Sequence, residues 1–195
     1  MTSRLNLRFL LVAVLGLALA AVVQAGQASR PGAAPAGPVV VMETAKGTIE
    51  FETFPEDAPK TVEQVLTLVK KNFYRGLRFH RVEKNFVIQV GDPRTRDVTR
   101  MDQWGKGGSA GGSGKPIGVA EFSKKRLHKR GAVGIAYASD PKEADSQFYI
   151  MLANRPALDG KYAVFGQVIA GMDVVEKIEV GDVIKKISVK EATAK

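Results

Sequence analysis

The sequence has no cysteine among its 195 residues, only two histidines (His80 and His128) and a single tryptophan. Without cysteine there is no thiol nucleophile, disulfide, zinc–thiolate cluster, iron–sulfur site or cysteine-linked lipid. Two histidines leave little material for a histidine-based metal site. The apolar run near the start, Phe9 to Val23, is shorter than the roughly 20 residues that a membrane-spanning helix needs. What remains is chemistry that uses neither thiols nor metals. The apolar share of 45% and charged share of 25% are those of a globular chain, which excludes disorder throughout. The length suits one domain plus an appendage.

Arg4 and Arg8 precede that apolar run, and Val23-Gln24-Ala25 ends it with small residues. A basic start, an apolar middle and such an ending read as a secretory signal over 1–25, cut after Ala25; an uncleaved anchor is the alternative. Export to the periplasm or the medium is therefore expected. Residues 26–38 are rich in Gly, Ala, Pro and Ser and read as a flexible linker, with the folded domain covering 39–195.

Val39 to Glu43 and Thr48 to Phe54 read as strands joined at Lys46-Gly47, and Pro59 to Asn72 as a helix with one apolar face. Pro59 suits a first helical turn. Leu77–Val82, Phe86–Val90, Ala132–Ala136, Gln147–Leu152 and Ala163–Ile169 are short strand-like runs. A second helix is expected at Met172–Ile178 and a closing strand at Val183–Val189. Many short strands with two isolated helices point to a mainly β barrel or sandwich.

Gly105 to Gly118 holds seven glycines and two serines, yet no βαβ unit surrounds it and Pro116 follows Gly114-Lys115. A phosphate-binding loop is therefore not expected. Residues 94–130 carry ten Lys/Arg against three Asp/Glu. Such a stretch could meet a polyanion, but a solvated loop is the simpler reading, and nucleic acid is not the expected partner.

The densest constellation is Phe79-His-Arg81-Val-Glu-Lys-Asn-Phe86-Val87-Ile-Gln89-Val-Gly-Asp92. Strand alternation from Phe86 places Phe86, Ile88 and Val90 on one face and Val87 and Gln89 on the other. Arginine, glutamine and apolar side chains together suit an uncharged ligand with carbonyl groups, and no nucleophile or acid–base pair is evident. This string resembles the signature of cyclophilins, the cyclosporin-type peptidyl-prolyl cis–trans isomerases. Further blocks resemble the same family: Ala58-Pro-Lys-Thr61, Gly131-Ala-Val-Gly-Ile-Ala136, Asp145-Ser-Gln147-Phe-Tyr149-Ile150 and Leu158-Asp-Gly-Lys-Tyr162-Ala-Val-Phe165-Gly.

The resemblance implies a closed eight-stranded antiparallel β-barrel capped by two α-helices, with a peptide groove on its outer wall. By it, Arg81 is the catalytic arginine. Phe86, Val87, Tyr149 and Leu158 hold the proline ring, and Gln89 bonds the substrate backbone. Ala136, Tyr137 and Gln147 line the wall for the residues before proline, and Tyr162 takes a position where many eukaryotic members have histidine. It further implies a monomer acting on proline-containing polypeptides, without cofactor or metal, that speeds folding of exported proteins. The alternative is a non-catalytic proline-peptide binder. Ala157 replaces a tryptophan that bonds cyclosporin, which implies weak inhibition by that drug. Tyr149 stands where a phenylalanine is usual, and its hydroxyl needs a partner or water. The family comparison assigns no purpose to the glycine-rich loop, and removing Gly105 to Lys115 is expected to leave peptide isomerisation intact.

Overall fold

The computed structural model describes residues 35–109 and 115–190. The signal over 1–25 and most of the linker lie outside them. Among the described residues no helix is long and apolar enough to cross a membrane.

Eight antiparallel strands form one sheet: β1 (Val39–Glu43), β2 (Thr48–Thr53), β3 (Arg81–Glu83), β4 (Val87–Val90), β5 (Ala132–Ile135), β6 (Phe148–Met151), β7 (Val164–Ala170) and β8 (Lys186–Lys190). Their order in the sheet is β3-β4-β6-β5-β7-β2-β1-β8. Alternation drives the assembly. In β1, Val40 and Met42 face inward and lie opposite Phe51 and Ile49 of β2 and Val189 and Ile187 of β8. A second row, Val82–Ile88–Ile150–Val133, runs across β3, β4, β6 and β5 into the same core. Phe51, Phe148, Phe165 and Tyr74 pack there edge to face or tilted, with ring centroids 5.4 to 6.3 Å apart.

Two features depart from the sequence expectation. The barrel is not closed by a strand ladder, because edge strands β3 and β8 do not pair. One isolated bridge, Arg78 to Val183, spans the seam just ahead of them. Phe79 and Ile184 continue the seam with backbone bonds to Asp182 and Leu77 at 3.0 and 2.9 Å. The cap is also unequal: α1 (Pro59–Lys70) is a full helix, whereas α2 (Met172–Val175) is a single turn.

Pro59 starts α1, but Ala58 has no side chain to cap it. Glu121, sixty residues on, accepts the orphan N–H groups of Lys60 (2.9 Å) and Thr61 (2.8 Å) instead. A carboxylate there also complements the helix dipole. Glu121→Ala is expected to cost about 1 kcal/mol and lower Tm by about 2–4 °C, read by thermal melting.

The chain is already held ahead of β1. Ala36 N–H donates to Glu52 at 2.8 Å, and the carbonyl of Pro38 accepts from the backbone and hydroxyl of Thr53.

Candidate active site

β6 is buried on both faces, and this positions the site. Phe148 and Ile150 enter the barrel core, while Tyr149 and Met151 belong to a second apolar cluster on the outer wall with Phe54, Val87, Ala132 and Val164. Phe86, Ala136, Leu158 and Tyr162 pack on that cluster. Cross-strand register then aligns the polar groups. Arg81 lies opposite Gln89, Gln89 opposite Tyr149, and Tyr149 opposite Gly134, one row across β3, β4, β6 and β5.

Arg81, Phe86, Val87, Gln89, Ala136, Tyr137, Tyr149, Leu158 and Tyr162 line one concavity of about 210 Å³. Gln147 lies in the adjoining groove of about 370 Å³, which shares Gln89, Ala136 and Tyr137 with the first. All ten residues singled out from the sequence therefore meet on one face. One local expectation fails. Phe86 does not join Ile88 and Val90 in the core, because it still belongs to the turn before β4, where Asn85 has φ 59°. Its ring lies on the outer cluster.

The Arg81 guanidinium sits 5.4 Å from the Phe86 ring centroid. Its Nε donates to Glu83 at 2.7 Å and its Nη1 to Gln89 Oε1 at 3.2 Å. Gln89 Nε2 in turn donates to Gln147 Oε1 at 2.9 Å, and Gln147 Nε2 donates to the carbonyls of Gly105 (2.9 Å) and Gly107 (2.7 Å). One chain of hydrogen bonds thus runs from the arginine into the glycine-rich segment.

That segment is therefore not a bystander. Asp92 caps it through Gly107 N–H at 3.0 Å, and a methyl group at Gly107 would collide with the Asp92 carboxylate. Gly105, Lys106, Gly107 and Gly108 form one side of the larger groove. Removing Gly105 to Lys115 would take away the two carbonyls that accept from Gln147 and the four residues that line this side of the groove. Gln147→Leu is expected to lower kcat/KM about tenfold for peptides extended ahead of proline, and less for dipeptide-sized ones, by loss of one peptide-binding hydrogen bond worth about 1.4 kcal/mol. Rate assays on a peptide length series check it.

The basic excess of residues 94–130 is partly absorbed within the fold. Arg126 pairs with Asp57 at 2.7 Å and lies 3.6 Å from the Phe54 ring centroid, and Arg130 pairs with Glu176 at 2.6 Å. His80 packs against Gly105, and burial holds its pKa below the ordinary histidine value against the opposing pull of Asp92. The described residues contain no group of three or more His, Cys, Asp or Glu side chains placed to hold a metal.

One face of the antiparallel barrel thus joins an apolar concavity, an arginine at its rim and amide side chains along an open groove, an arrangement able to take an extended peptide. The family model for cyclophilin-type peptidyl-prolyl cis–trans isomerases matches residues 39–194. A probable peptidyl-prolyl cis–trans isomerase of Brucella abortus is 39% identical over 151 residues, 77% of this chain and 76% of that protein. A Helicobacter pylori peptidyl-prolyl cis–trans isomerase is 37% identical over 148 residues, 75% and 83% of the two chains. The crystal structure of a Cryptosporidium parvum cyclophilin-type isomerase superposes with TM-score 0.67 at 28% identity, covering 80% of this chain and 98% of that one. The chain belongs to the cyclophilin family and is a peptidyl-prolyl cis–trans isomerase.

Proposed function

We propose that the isomerase works outside the cytoplasm on exported polypeptides, with Arg81 as its catalytic residue and Phe86, Val87, Tyr149 and Leu158 as the proline socket. The observation that carries the site assignment is the single concavity that places Arg81 beside those four side chains. The Cryptosporidium parvum protein was also crystallised in the presence of the dipeptide Ala-Pro, which suits a socket of this kind.

Peptide rotation meets a barrier of ~18–20 kcal/mol because the nitrogen lone pair is delocalised into the carbonyl. In the twisted amide that lone pair returns to a pyramidal nitrogen and becomes a hydrogen-bond acceptor. The enzyme must hold this form more tightly than either planar form. Arg81 is a permanently charged donor at the socket rim. Gln89, Gln147 and Ala136 hold the backbone ahead of proline, so rotation concentrates in one bond. No covalent intermediate forms, so no nucleophile is needed.

Export rests on the basic and apolar pattern of residues 1–25. Fractionation of cells expressing the full chain, with N-terminal sequencing of the product, tests it. A product outside the cytoplasm that begins at Gly26 is expected; an intact chain in the cytoplasm contradicts it.

A further inference from the structure

The socket floor contains a hydroxyl that an all-carbon floor would not. Tyr149 is 5% exposed, and burial raises its phenol pKa far above the ordinary tyrosine value, so it is an O–H donor at any working pH. A buried hydroxyl under an apolar pocket is costly without a partner. Its partner is His128: Tyr149 Oη lies 2.9 Å from Nε2, and the two rings stack with centroids 6.1 Å apart at 21°.

The tautomer of His128 follows from its other contacts. Asp159 Oδ1 lies 2.7 Å from the His128 backbone nitrogen and 2.8 Å from Nδ1. A carboxylate oxygen only accepts, so Nδ1 carries the proton and the Nε2 lone pair faces the phenol. The His128 side chain is wholly covered, and this burial holds its pKa below the ordinary histidine value, which favours the neutral ring. The bonds run one way, from phenol to imidazole to carboxylate. Gly134 makes room for them, since a methyl group there would collide with the Tyr149 ring and hydroxyl. Asp159 follows Leu158, a residue of the socket wall. The backbone of His128 is bound to the same loop, through Arg155 N–H at 2.7 Å.

We infer that His128 is a positioning residue of the isomerase: held by Asp159, it anchors the Tyr149 hydroxyl and ties the floor of the proline socket to its Leu158 wall. Substrate does not touch it, and its effect passes through Tyr149. The inference rests on the assignment of the proline socket made above. A fixed ring matters because rotation about one bond is fast only when the proline ring is held still against the donor.

A double-mutant cycle tests the link, with kcat, KM and Tm measured for His128→Leu, Tyr149→Phe and the double variant on an Xaa-Pro peptide. His128→Leu alone is expected to lower kcat/KM about tenfold, and in the Tyr149→Phe background by under about twofold, because no hydroxyl is then left unpaired. An equal kinetic effect in both backgrounds overturns the inference, even if Tm falls, because His128 would then act on stability alone. Nitrogen-15 NMR of the unsubstituted full chain is a second test that needs no variant. A proton on Nδ1 of His128 is expected, and a proton on Nε2 with Nδ1 bare overturns it. Arg81→Ala assayed beside the cycle separates the two levels. If it is inactive while the His128 effect is independent of background, the inference alone falls; if it is fully active, the socket assignment falls and takes the inference with it.

Discussion

Arg81→Ala is expected to lower kcat/KM by two to three orders of magnitude while Tm moves by no more than a few degrees. The kinetic figure follows from removing one pre-oriented donor from a partly dry site, worth roughly 3–4 kcal/mol. The stability figure follows from exposure. The Arg81 and Glu83 side chains are 44% and 50% exposed, and an ion pair in that setting contributes about 0–1 kcal/mol. Arg81→Lys keeps the charge but loses the fork that reaches Glu83 and Gln89 together, so it should recover only part of the rate. Coupled peptide assays beside thermal melts read both quantities. An unfolded Arg81→Ala variant would make the residue structural.

Phe86→Ala carries the second large effect. Aromatic anchors of a binding site are worth about 2 kcal/mol or more on truncation, which is about a 30-fold loss in kcat/KM. Both kcat and KM should change, since the ring supports the guanidinium as well as the proline. Arg81 and Arg155 each lie 5.4 Å from its centroid. Because Phe86 sits in a turn on the outer cluster, half-buried, its stability cost should be about 1–2 kcal/mol, below the ~3–5 kcal/mol of a core phenylalanine. A melt that falls as for a core residue would place the ring inside the barrel.

Much of this was legible in the chain. β1, β2 and α1 follow from strict alternation, a Lys46-Gly47 turn and Pro59, and their observed bounds differ by two residues at most. The ten site residues came from family motifs, not from periodicity. Alternation alone sends Phe86 the wrong way, because the positive φ of Asn85, two residues before β4, resets the pleat. The open seam was hidden as well. Leu77 to Val82 reads as a continuous strand, yet its first half bonds across the seam and only Arg81 and Val82 enter β3. Most obscure were the supports of the site. Glu121 at α1, Gly105 and Gly107 under Gln147, and His128 beneath Tyr149 all come from loops. Their partners lie 21 to 61 residues away, and no local period marks them. The need of the Tyr149 hydroxyl for a partner was readable; the partner itself was not.

The central claim is that Arg81 binds the twisted amide and not the planar peptide. Exchange NMR of an Xaa-Pro peptide at saturating full-length protein tests it most directly, giving Kd and the cis–trans interconversion rate of the bound peptide for parent and Arg81→Ala. The account predicts a Kd within about threefold and a bound-state rate lower by about two orders of magnitude or more. A Kd weakened by that factor with an unchanged bound-state rate would contradict it, and would make Arg81 a residue of substrate binding alone.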